Sequence, residues 1–224
     1  MGTTIINGSV IINGNIYGGN VYGGTQNTVK GDGISTQEER ELPQPFDQVD
    51  VSAFGKVEIT AGQKESGLSL SGDSNILKHV ETSVEDGTLF IKPEDGYNLN
   101  PQLPLKAKLF MGDLTGISAS ASSAVEAARV SARHFSAKAS SSASISVSGK
   151  ADSVDAKGSS SAQIDLTDLR TKDAEAKASS SAQVRLHASD TLSAKASSSG
   201  MIIYSGSPTM LKEKTSSSGM IISR

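Results

Sequence analysis

The chain contains no cysteine and no tryptophan. Without thiols there is no disulfide, no thiolate nucleophile and no thiolate metal site, and the redox compartment cannot be read from cysteine usage. Aromatic residues make up 4% and hydrophobic residues 36% of the 224 residues. That is less bulky apolar material than a compact domain of this length normally carries. No apolar run approaches the roughly 18 residues of a membrane span. The opening residues, MGTTIINGSV, lack the basic start and long apolar stretch of a secretory signal, so a protein that stays inside, or a mature or trimmed form, is expected. A formal charge of −3 predicts neither nucleic-acid nor membrane binding. What is abundant is small: 22 glycines, with serine and alanine throughout. Such a composition suits either disorder or a slim, repetitive β structure with small interior residues.

The second half decides between these. AKASSSASISV starts at Ala137, AKGSSSAQIDL at Ala156, AKASSSAQVRL at Ala176, AKASSSGMIIY at Ala194 and EKTSSSGMIIS at Glu213. The aliphatic residues after the serine runs are Ile145, Ile164, Val184, Ile202 and Ile221, and the degenerate copy SASSAVEA adds Val125. The steps between them are 20, 19, 20, 18 and 19 residues. A fixed interval of this size over six copies marks a solenoid.

Within one copy the pattern has period two. Ala176, Ala178, Ser180, Ala182, Val184 and Leu186 fall on one side, and Lys177, Ser179, Ser181, Gln183 and Arg185 on the other. Small or apolar residues alternating with polar ones read as a half-buried strand. One strand and its return path in about 19 residues make one coil of a parallel β-helix, with coils stacked ~4.8 Å apart. No six-residue rule is present, and the steps vary, which favours a right-handed form over the hexapeptide left-handed one. The middle serine of each run (Ser141, Ser160, Ser180, Ser198, Ser217) is expected to point inward. Its hydroxyl would bond along the ladder, and the flanking serines would form two outer polar columns.

The first half also reads as strands. VDVSAFGKVEITAG (49–62) alternates; LSLSG (68–72), TLFIK (88–92) and LKAKLFM (105–111) are short strands; Asp86-Gly87 marks a turn. The order of FDQVDVSAFGKVEITAG, LSLSGDSNILKHVETSVEDGTLFIK and LKAKLFMGDLTGISASASSAVE resembles the auto-transporter adhesin, head GIN domain family, over residues 46–224. The resemblance implies an all-β, right-handed solenoid from bacteria, in secreted or envelope-anchored proteins. It carries no catalytic residue set. An extracellular or envelope location follows from the resemblance alone.

Residues 1–33 are set apart as a Gly/Asn-rich β segment, with Asn-Gly or Gly-Gly pairs at 7–8, 13–14, 18–19 and 23–24. They suggest a small meander or a strand that pairs with another chain. Residues 34–45 read as a polar linker, and 46–224 as the solenoid. The aliphatic residues of the first segment are expected to cap the solenoid or drive association, since sheet edges need covering.

Catalytic signals are sparse. His79, His134 and His187 share no repeat phase, and no HExxH, P-loop, GxSxG or EF-hand loop occurs. Asp152, Asp155, Asp165, Asp168, Asp173 and Glu175 sit at different phases, which reads as a solvated face rather than a paired acid and base. No enzyme activity, cofactor or metal is expected. A Ser-x-Ser ladder lacks the methyl groups of an ice-ordering Thr-x-Thr surface. Two arrays remain. Lys138, Lys157, Lys177, Lys195 and Lys214 recur at steps of 19, 20, 18 and 19. They form a candidate cationic track for an anionic polysaccharide, with Asp155 and Glu175 placed to neutralise its centre. Met201, Ile203, Met220 and Ile222 turn the outer surface apolar in the last two copies; with Ile11, Ile12 and Ile16 they form a candidate self-association patch. The sequence thus predicts a non-enzymatic structural or adhesive β-solenoid that forms homo-oligomers. A carbohydrate-binding protein for a polysaccharide or cell-surface ligand is the alternative. Nucleic-acid partners and a membrane span are not expected.

Overall fold

The aliphatic anchors stack in one ladder. Val125 pairs with Ile145, Ile145 with Ile164, Ile164 with Val184, Val184 with Ile202 and Ile202 with Ile221, all in parallel register. The computed structural model describes residues 3–6, 9–12, 15–17, 27–42 and 44–224, the first three ranges by their strand pairing alone. It is a β-solenoid of about five turns.

Strands β1 (Thr3–Ile6), β2 (Ser9–Ile12) and β3 (Asn15–Tyr17) form an antiparallel meander. Then follow β4 (Asn27–Lys30), β5 (Ser35–Arg40), β6 (Gln48–Ser52), β7 (Lys56–Thr60) and β8 (Gly67–Asp73). A single helical turn, α1 (Ser74–Leu77), leads into β9 (Val80–Glu85), β10 (Thr88–Pro93), β11 (Tyr97–Asn100) and β12 (Lys106–Phe110). The repeats comprise β13 (Gly116–Ser120), the long β14 (Ala124–Ala139) and β15 (Ser144–Gly158), then β16 (Gln163–Leu166) and β17 (Leu169–Ala178). The last coils are β18 (Gln183–His187), β19 (Thr191–Ala196), β20 (Met201–Ser205), β21 (Met210–Thr215) and β22 (Met220–Ser223).

Each coil presents two main faces. On face A the ladder runs β9, β10, β6, β13, then the later halves of β14 and β15, then β17, β19 and β21. On face B it runs β5, β8, β12, β7, the early halves of β14 and β15, then β16, β18, β20 and β22. A short third side joins them, where Val130–Ala132, Gly149–Ala151 and Leu169–Thr171 stack in register.

The scarcity of large side chains is explained by how close the two faces lie. Face A turns Ala137, Ala156, Ala176 and Ala194 inward, against the aliphatic anchors of face B, and all are buried. A Cβ added to Gly158 would lie 3.2 Å from the Ala182 Cβ and 3.3 Å from Val184 Cγ2, already tighter than ordinary van der Waals contact, so nothing larger than a methyl group can be accommodated without the walls moving. Bulky side chains concentrate at the other end, where Phe54, Leu68, Leu70, Ile76, Leu77, Leu89 and Met111 form a plug. The antiparallel strands β5, β8 and β9 cover the parallel ladder at that end.

The structure changes two expectations. The stretch 34–45 is not simply a linker: Ser35–Arg40 pairs antiparallel with Asp73–Leu68 at the edge of face B. An edge strand tolerates a polar sequence because one side stays wet. Arg40 is further fixed by donating from its guanidinium to the Leu77 carbonyl at 2.8 Å. Likewise Asn27–Lys30 leaves the Gly-rich segment to pair with Tyr97–Asn100. The fully buried Asp73 ties these pieces together. Its carboxylate accepts from the backbone N–H of Gly33 at 2.7 Å, Gln102 at 3.0 Å and Leu103 at 2.9 Å.

The serine runs are corners, not strand. Ser180 and Ser181 have φ of 50° and 64° and are exposed. The Ala182 N–H donates to the Ser179 carbonyl at 3.0 Å, closing a tight turn of the primed kind. Ser141, Ser160, Ser198 and Ser217 have the same left-handed backbone. The middle serine therefore points outward, and the inward positions are Ala178 and Ala182, on either side of the corner. Period-two alternation holds up to the corner and resumes after it. The ladder at the corner is made by backbone groups: the Ser161 N–H donates to the Ser180 carbonyl at 2.9 Å and the Ser181 N–H to the Ser198 carbonyl at 3.1 Å.

The final coil differs inside. In the inward column Ala156, Ala176, Ala194 the next residue is Glu213, and beside it Thr215 follows Ala196. Every residue of β21 is exposed.

Candidate functional site

The five lysines form one column along face A. Lys138, Lys157, Lys177, Lys195 and Lys214 are direct register partners from coil to coil. Alternation turns them outward because the alanines between them fill the interior. Lys157 pairs with Asp155 at 2.7 Å and Lys177 with Glu175; the Glu175 carboxylate holds the Lys177 ammonium above its ordinary pKa. The adjoining outward column changes from Asp155 and Glu175 to Ser193 and Lys212. Positive charge therefore accumulates toward the last coil. At the opposite end the column begins with Asp50 and Ser118. Burial pushes the Asp50 carboxyl up, against the opposing effect of the Ser118 hydroxyl.

The apolar residues of the last coils do not form one exposed patch. Met201 is half-buried and Ile203 is only 8% exposed. Met220 and Ile222, on β22, are 47% and 41% exposed. Sequence reasoning missed Met210 and Leu211 on β21, exposed at 64% and 44%, Met210 the most of the four. They lie outside the repeated word, and only the three-dimensional register brings them to the same end. Ile11, Ile12 and Ile16 are in β2 and β3, and their side chains lie outside the described residues.

The acidic residues are dispersed by the fold. Asp155 and Glu175 sit on face A, and Asp165 sits on face B. Burial pushes the Asp165 carboxyl up, but the Thr167 amide and hydroxyl with Arg185 outweigh it and hold it below its ordinary value. His79 contacts Glu94 at 3.0 Å and stacks on Tyr97, His134 contacts Ser153, and His187 contacts Ser205. Among the described residues no three His, Cys, Asp or Glu side chains converge as metal ligands would. Among the described residues no helix is long and apolar enough to cross a membrane.

One concavity lies where the repeats gave no signal. A groove of about 1100 Å³ runs along the third side. Ala132, Ala151 and Thr171 form a stacked row along it. Ser131, Lys150 and Arg170 flank the row on one side, and Arg133, Asp152 and Lys172 on the other. Lys172 binds Asp152 at 3.2 Å. These residues lie between the serine words, in the most variable part of each coil, so periodicity alone could not mark them. The groove also gathers Asp152 and Asp168 from the dispersed acids.

Several solved bacterial structures share this fold. A "putative adhesin" from Bacteroides fragilis NCTC 9343 superposes with a TM-score of 0.69 at 17% identity, covering 88% of this chain and 100% of its own. One from Parabacteroides merdae ATCC 43184 has a TM-score of 0.58 at 14% identity, covering 88% and 99%. A "putative lipid binding protein" from Parabacteroides distasonis ATCC 8503 has a TM-score of 0.55 at 21% identity, again covering 88% and 99%. At these identities the likeness establishes the fold alone. No curated protein matches the chain in sequence. The family match is decisive for membership: residues 45–208, well over half the chain, fit one family, and the chain belongs to the "Putative auto-transporter adhesin, head GIN domain" family.

Proposed function

We propose that this chain is a non-enzymatic adhesive module of a bacterial surface or envelope, and that it pairs with a second copy of itself through the last coil. The observation that carries the pairing is the contrast between the two strands of that coil. On β21, Lys212 and Lys214 point outward and Glu213 occupies an inward position. Charges so placed guard an edge against further strands. On β22 the sequence is Met-Ile-Ile-Ser, with Met220 and Ile222 exposed and no ladder on its outer side among the described residues. One guarded and one open edge suit a closed, isologous pair joined β22 to β22, not a filament.

Light scattering on the intact chain tests this. The expected mass is twice that of one chain, and the double variant Met220→Lys/Ile222→Lys should return it to one. A single-chain mass across the micromolar range overturns the pairing. A second reading, recognition of an anionic polysaccharide, is supported by the surplus of lysine near the last coil. Salt-sensitive retention on an immobilised sulfated polysaccharide supports it, because such contacts weaken as salt rises; no retention at low salt counts against it.

A further inference from the structure

We propose that the groove on the third side binds a linear, carboxylated polysaccharide laid along the solenoid axis. This deepens the adhesive reading by naming a ligand class and a site, and it is independent of pairing through β22. Three features of the groove support it.

The first is register. Successive coils stand ~4.8 Å apart, close to the advance per sugar ring in an extended chain. Each of three successive coils brings cations to the groove: Arg133, then Lys150, then Arg170 and Lys172. A ligand with one carboxylate per sugar meets a cation at every step. The second is available charge. Lys172 is engaged by Asp152, but Arg133, Lys150 and Arg170 have no carboxylate within 4 Å among the described residues. Guanidinium groups match the planar, two-oxygen shape of a carboxylate. The third is shape. Ala151 and Thr171 turn into the interior, so no side chain rises between the two outward columns and a chain can lie between them; the Thr167 and Ser189 hydroxyls, donating to Asp165 and Asp190, offer their oxygens to sugar hydroxyls.

Other polymers fit less well. Among the described residues His187 supplies the groove's one aromatic ring, and it is held against the Ser205 hydroxyl at 3.2 Å, so there is no series of rings on which successive bases could stack. Duplex DNA carries one negative charge per ~1.7 Å of its axis, far denser than the ~4.8 Å step between coils. Toward face A the depression continues past Asp47 and Asp113, and these acids limit the anionic track to the cationic coils.

The test is titration of the full chain with polygalacturonate at low salt, followed by calorimetry. Saturable binding that weakens with salt is expected. The double variant Lys150→Gln/Arg170→Gln should bind about tenfold more weakly, the loss typical of removing charge-assisted contacts on a solvated surface. The variant Lys177→Gln/Lys195→Gln, on face A, should bind like the native chain. All four side chains are exposed, so thermal unfolding should be unchanged and the loss attributable to binding. Absence of binding overturns the proposal, and so does a loss confined to the face A variant. Equal affinity for duplex DNA, or binding of dextran sulfate but not polygalacturonate, overturns the carboxylate assignment. The β22 pairing is read separately from solution mass, which the groove variants should leave unchanged.

Discussion

The serine corners make a sharp prediction at Ser181. Its φ of 64° is in the left-handed region, which costs an L-residue roughly 1–2 kcal/mol. Ser181→Gly removes that strain but loosens the unfolded chain by about 0.5–1 kcal/mol. The net effect is neutral to slightly stabilising. Ser181→Val places a branched Cβ where bulk is least tolerated, for a further loss of about 1–3 kcal/mol. Neither change removes the bond to the Ser198 carbonyl, which comes from the backbone N–H. In urea, with a slope of about 2–3 kcal/mol/M, the valine variant should unfold roughly 0.5–1 M earlier than the glycine one. Gln183→Val, an outward strand position two residues on, serves as control and should shift stability by less than about 0.5 kcal/mol. If the run were strand, the order would reverse, because valine favours strands and glycine weakens them. A midpoint for S181V equal to or above that of S181G would refute the corner.

Two other perturbations probe the first half. Asp73→Ala removes the acceptor for three backbone N–H groups and should cost about 2–4 kcal/mol; proteolysis near residues 31–33 and 102–103 should become faster while the serine coils stay resistant. Asp50 gives a pH signature: burial raises its folded pKa above the ordinary 3.8, so its favourable contribution is complete below that value and is lost as pH rises through the folded one. Asp50→Asn should therefore be more stable than the native chain at neutral pH and equal to it in acid, and identical denaturation curves at both pH values would remove burial as the cause.

The solenoid was legible because two periods coincide in the sequence: aliphatic anchors every 18–20 residues, and alternation within each copy. The lysine column was legible for the same reason, since one residue per word becomes one column in space. The serine corners were misread because alternation cannot register a turn that preserves phase. Ala178 and Ala182 are both inward whether the chain runs straight or folds back; only the dihedral angles distinguish the cases. β5 was hidden because Ser-Thr-Gln-Glu-Glu-Arg has the composition of a linker, and its partner β8 lies some thirty residues away. The groove was invisible because its walls come from residues that match in no simple word. Ser131, Lys150 and Arg170 share a column but differ in chemistry.

Glu213 has a consequence for growth. A stack of near-identical parallel coils is a template, and each finished layer presents the next with a ready pattern of donors and acceptors. Nothing in the first four copies of the serine word sets a limit, because four copies obey the same rule as forty; the fifth opens on Glu213. What departs from the rule is a single carboxylate in a column of alanines. Another layer of the same kind on β21 would seal that charge in a space sized for methyl groups, without a cation to meet it. The same alanine column that lets the coils repeat so readily thus makes one glutamate enough to oppose a further layer of the same kind on β21.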